Sequence, residues 1–127
     1  MATDDPGSGT PYMVPLSFPW DGATIVLMAT PAASPTSNLQ ATGKVRLGIG
    51  PARDPVLIEG TVQAVTAAAD IPPATGDAFA VKTGFDPRRP TDGYAYFHIR
   101  PRRLQAWREA DELAGRDLMR GGDRVIR

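Results

Sequence analysis

Apolar and polar positions in this chain alternate over short runs and seldom recur at helical spacing. Residues 12–18, Tyr-Met-Val-Pro-Leu-Ser-Phe, form one β-prone run, and residues 24–30, Thr-Ile-Val-Leu-Met-Ala-Thr, form another. Asp21-Gly22 stands between them, which predicts a tight hairpin. Pro15 cannot donate to a ladder, so the first strand should lie at an edge or bulge there. The second run is apolar almost throughout, as suits a strand covered on both faces.

Further on, 44–50 alternates charged or small residues with apolar ones, and 56–65 is the most convincing strand in the chain. Gly60, in the middle of that strand, predicts a bulge or a close backbone approach. Thr36 or Ser37 can cap a short helix over 38–42 that ends at Gly43. A second helix is expected over 74–82, closed by Gly84, with Ala78, Val81 and Lys82 on one face. Residues 94–99 read as a strand cut at Pro101, 103–107 as one more, and 109–113 as a helical turn. Residues 1–9 read as a turn region and 117–127 as a mobile tail. Six or so strands without βαβ alternation predict a mainly β, antiparallel domain spanning 1–127, a barrel or sandwich with a helix inserted in a crossover.

Composition supports that reading. Thirteen glycines and thirteen prolines in 127 residues demand many turns. No apolar run reaches the length of about 20 residues that spans a bilayer, and the acidic, turn-rich start is unlike a signal peptide. The absence of cysteine fits a cytoplasmic location. Fourteen basic residues balance fourteen acidic ones, so no net field draws the chain to nucleic acid. Ten of the basic residues, all arginine, lie from Arg88 onward. Interleaved acids there describe a salt-bridged surface, with anion binding as the sharper alternative.

Familiar catalytic and metal patterns are missing. His98 is the sole histidine and there is no cysteine, which argues against a structural zinc. No serine sits in a Gly-x-Ser-x-Gly elbow. Gly48-Ile49-Gly50-Pro51 lacks the third glycine of a dinucleotide fingerprint, and Pro51 would break the helix that must follow, so it reads as a turn. The segment from Thr30 to Leu39 is richer. It sets Thr30, Ser34, Thr36, Ser37 and Asn38 between a buried strand and a helix start, a place where hydroxyls and free N–H groups bind anions. Plain capping and turn formation use the same residues.

The succession Ala2-Thr3, then Gly9-Thr10-Pro11, then Val14-Pro15 and Phe18, then Asp21-Gly22, resembles the opening of the pyridoxamine 5′-phosphate oxidase-like family. Thr30-Pro31, Ser34 and Asn38-Leu39 fall where that family has its phosphate loop and "N-L" helix. Strands 44–47 and 58–62 match its next two, and 94–107 is similar to its last strand pair. The resemblance, covering about residues 2–107, implies an antiparallel split barrel that binds FMN between the protomers of a homodimer. By position it assigns Val14, Pro15, Leu16 and Ser17 to the flavin ring. Thr30, Ser34, Thr36 and Asn38 would face the ribityl chain and phosphate, and Trp107 would approach the ring. A flavin performs the redox chemistry itself, so no catalytic acid or base is assigned.

Two departures from the family pattern bear on function. No basic residue lies between Met1 and Lys44, so Lys44, Arg46 or an arginine of a partner would have to meet the phosphate. The family also has a helix and a strand before the Ala-Thr turn at which this chain begins, so an N-terminal truncation or a misplaced start codon is expected. The functional expectation is an FMN-dependent oxidoreductase acting on a small molecule. The alternatives are a deazaflavin-dependent reductase and a non-catalytic, dimeric barrel that binds a flavin, another ligand or no cofactor.

Overall fold

A computed structural model describes residues 1–30, 34–86, 88 and 93–125. Among these residues are eight strands: β1 (Ala2–Asp4), β2 (Pro11–Met13), β3 (Ile25–Ala29), β4 (Lys44–Ile49), β5 (Val56–Ala67), β6 (Ala95–Ala106), β7 (Asp117–Arg120) and β8 (Asp123–Arg124). Helix α1 (Ser34–Thr42) joins β3 to β4, and α2 (Pro73–Thr83) lies between β5 and β6. All pairings are antiparallel, in the order β2-β1-β4-β5-β6-β7-β8, with β3 also paired to β6.

The long strand β6 organises the sheet. Along its whole length it pairs with β5, while its other edge takes β3 from Ala95 to Ile99 and β7 at Leu104 and Gln105. Pro101 does not end the strand as the sequence suggested. It falls between the reach of β3 and that of β7, opposite the β5 irregularity at Glu59/Gly60, where a missing ladder donor costs least. Gly60 has the predicted close approach: a Cβ there would lie 2.5 Å from Ile99 Cγ2 and 3.3 Å from the Arg100 carbonyl oxygen.

Two apolar clusters sit on opposite faces of the β3–β6 ladder. Ile25, Leu27, Phe97 and Ile99 point into the barrel and meet Leu39 of α1, Val45, Leu47 and Ile58. Val26 and Tyr96 point the other way, against Phe79 of α2, Ala68 and Ile71. Burial on both faces explains the unbroken apolar run in β3. Phe79 meets Tyr96 edge-on, with ring centroids 5.2 Å apart. The inward residues of α2 are therefore Gly76 and Phe79, whereas Ala78, Val81 and Lys82 are exposed.

Four local expectations change. The predicted hairpin at Asp21-Gly22 reduces to a single Trp20–Ile25 bridge, because β2 pairs with β1 and β3 with β6. The turn itself survives. Asp21 accepts hydrogen bonds from the N–H groups of Ala23 and Thr24 and from the Thr24 hydroxyl. Residues 2–4, expected as part of a turn region, form β1, and residues 117–124, expected as a tail, form the β7–β8 hairpin on β6. Each belongs to a local hairpin, docked on the sheet by a partner more distant in the chain, β4 for the first (Ala2 beside Arg46) and β6 for the second, which local sequence does not report. Helix α1 begins four residues earlier than its caps suggested, since Pro35 is tolerated in a first turn.

Candidate functional site

On the outer face of β1, β4, β5 and β6 the strand register assembles one polar surface. Strand β4 buries Val45 and Leu47 and turns Lys44, Arg46 and Gly48 outward. Pairing sets Lys44 beside Thr61, Arg46 beside Glu59 and Gly48 beside Leu57, and sets Glu59 beside Arg103 on β6. The result is a row of alternating charge. Arg46 Nη2 lies 2.8 Å from Glu59 Oε1, Arg103 Nη1 lies 3.7 Å from the same oxygen, and Arg103 Nη2 lies 3.3 Å from Asp117 Oδ1. Gln105 and Arg120 each donate to Asp117 at 2.8 Å. The Arg120 bond first, and Gln105 next, hold the Asp117 carboxyl below its usual range. The Nε of Arg103 is buried and finds no acceptor among the described residues.

Two clefts open on this face and share Ala2, Arg46 and Glu59, so they form one trough. One, of about 560 Å³, has apolar walls of Met13, Val14, Pro15 and Leu57, with Arg103 and Gln105 at its base. Reciprocal backbone hydrogen bonds between Met1 and Val14 hold its Val14–Pro15 wall against β1. The other, of about 800 Å³, is lined by Asp4, Thr42, Lys44, Thr61 and Arg102 besides the shared residues. Arg102 Nε donates to the Thr61 hydroxyl at 3.2 Å. Four cationic side chains (Lys44, Arg46, Arg102, Arg103) face two anionic ones (Asp4, Glu59), so the side-chain lining is net positive.

Of the residues expected at a site, Val14 and Pro15 line the apolar cleft and Lys44 lines the charged one. Leu16 packs against the barrel core and Ser17 is exposed. Thr36 is buried, and its hydroxyl donates to the Thr30 carbonyl at 2.6 Å. Asn38 is also buried, its amide nitrogen without an acceptor among the described residues. The side chain of Ser34 lies outside the described residues. Trp107 is half-buried just past the end of β6, and neither cleft includes it. Neither cleft is lined by Thr30, Thr36 or Asn38. Sequence reasoning missed Glu59, Arg102, Arg103 and Gln105. Their polar character was legible, but the register that gathers them was not, nor was the irregularity at Glu59/Gly60, beside which the adjacent Arg102 and Arg103 lie.

Among the described residues no three His, Cys, Asp or Glu side chains cluster as a metal site would require. No described helix is long and apolar enough to cross a membrane.

A solved structure of an F420 reductase superposes on this chain with a TM-score of 0.64 and 21% identity, covering 81% of this chain and 84% of its own. The chain folds as a split β-barrel. No family model and no curated protein matches the sequence. At this identity the split barrel is what the two proteins share.

Proposed function

We propose that the protein is a flavin- or deazaflavin-dependent oxidoreductase whose cofactor lies in the trough, with its ring at the apolar end and its anionic tail at the charged end. The observation that supports this most is the trough's asymmetry. Apolar walls at Val14, Pro15 and Leu57 adjoin a larger cavity edged by Lys44, Arg46 and Arg102. The donor set fits a phosphorylated tail, and these cations take the part that the loop from Thr30 to Asn38, without a basic residue, does not offer. A deazaflavin coenzyme fits better than FMN, because a cavity of about 800 Å³ with several cations accommodates a longer anionic tail. The superposed F420 reductase supports the same choice.

When bound, the cofactor supplies hydride chemistry. The chain's own residues then bind and orient it. Val14 and Pro15 would pack against the ring, while Glu59 holds Arg46 and Arg103 in place between strands. The reading includes a homodimer, for which exposed Met13 (83%) and Leu57 (42%) at the rim supply apolar surface that a second copy would cover. The substrate is a small organic molecule reaching the ring between the protomers.

Titration with FMN and with a deazaflavin coenzyme, followed by cofactor fluorescence, tests the proposal. The deazaflavin is expected to bind more tightly. Lys44→Ala and Arg46→Ala should each weaken binding about tenfold, the effect of losing one hydrogen bond to a charged group. No binding of either cofactor, or affinities indifferent to both substitutions, would refute the assignment. Turnover of a reduced cofactor by the loaded protein then separates an enzyme from a binding module.

A further inference from the structure

A second cavity, of about 430 Å³, opens on the inward-facing side of β5 and β6 and meets the trough only at Ile58. Its floor is the barrel core itself: Ile25 and Ile58, 2% and 5% exposed, with Leu104 beside them. Phe18 and Trp20 form one wall, and Leu118 and Met119 of β7 form the other. Trp20 is tied to the barrel by one bridge to Ile25 and stays 55% exposed, an indole left in water next to an apolar recess. The lining carries a single charge. Arg124 on β8 pairs through its backbone with Met119, and its side chain enters no ion pair or hydrogen bond among the described residues.

We infer that this recess is a second binding site, one that takes a small aliphatic monocarboxylate. The hydrocarbon chain would lie on Ile25, Ile58 and Leu104 under the Trp20 indole, and the carboxylate would meet Arg124 at the rim. The volume falls at the lower end of small-molecule pockets, and barrel mouths are a recurrent place for them. One guanidinium against otherwise apolar walls selects a ligand with one negative end and an apolar body, since a polar body would lose its hydration without finding partners. The inference does not depend on a cofactor in the trough.

The experiment is titration of the full chain carrying Trp107→Phe, so that Trp20 is the one tryptophan emitter, with octanoate and with the matching primary alcohol. Calorimetry on the unaltered chain runs beside it. Saturable changes are expected for both ligands, with octanoate bound about two- to fivefold more tightly, as suits an ion pair at an exposed rim. Arg124→Gln should abolish that preference and leave the alcohol's affinity unchanged. Three results would overturn the inference: no saturable binding, equal affinity for acid and alcohol, or a preference that persists in Arg124→Gln. Recess-dependent self-association insensitive to octanoate would overturn it too, by assigning the recess to a second copy.

Discussion

Gly60 gives a sharp test of how the barrel is packed. A Cβ at this position would stand 2.5 Å from Ile99 Cγ2, 3.3 Å from the Arg100 carbonyl oxygen and 3.4 Å from Val45 Cγ1. Ile99 is fully buried and branched at Cβ, so its methyl cannot swing aside, and the carbonyl belongs to the paired strand. Gly60 has no positive φ, so replacement is opposed by space and not by backbone conformation. Overpacking of this kind costs about 1–3 kcal/mol, offset by about 0.4–1 kcal/mol of lost unfolded-state freedom. With an unfolding entropy near 0.27 kcal/mol/K for 127 residues, a net loss of about 1–2 kcal/mol lowers Tm by about 4–7 °C. The control is Gly48→Ala on the neighbouring strand, where the nearest atom to a new Cβ is Leu57 Cδ2 at 3.7 Å. That substitution should leave Tm unchanged or raise it slightly. Thermal melts followed by circular dichroism give both values, and a Gly60→Ala protein as stable as its Gly48→Ala counterpart would refute the packing argument.

Other consequences are as direct. The hydroxyl of Tyr96 is buried without a partner among the described residues, and burial raises its pKa, so Tyr96→Phe should keep or raise stability by up to about 1 kcal/mol in a denaturant melt. Phe79→Ala empties the contact between α2 and Tyr96 and should cost about 3–5 kcal/mol, with hydrogen exchange rising in α2 ahead of β5 and β6. Burial disfavours the Asp21 carboxylate, but the N–H and hydroxyl of Thr24 and the N–H of Ala23 outweigh it and depress the pKa. Its contribution is therefore fully present above the ordinary carboxylate pKa of about 3.9 and is lost as pH falls through the lower folded value. Asp21→Asn should cost about 1 kcal/mol at neutral pH and flatten that acid-side loss in pH-dependent melts.

Features set by neighbouring residues were fixed before any tertiary contact is considered. The apolar unbroken run of β3, the alternation of β4, the closure of α2 at Gly84 (φ 74°) and the capped turn at Asp21 all follow from side-chain period or local sterics. Pairing between distant segments was not encoded that way. A strand's partner depends on how a whole sheet buries its faces, so β2 found β1 instead of β3, β6 ran on through Pro101, and 117–124 joined the barrel. The same long-range register brought Arg46, Glu59 and Arg103 into one row across three strands. Sequence alone therefore specified the β character and, where alternation is clean as in β4, the outward residues of a strand. The composition of the trough waited on the fold, because side chains dozens of positions apart become neighbours only when ladders close.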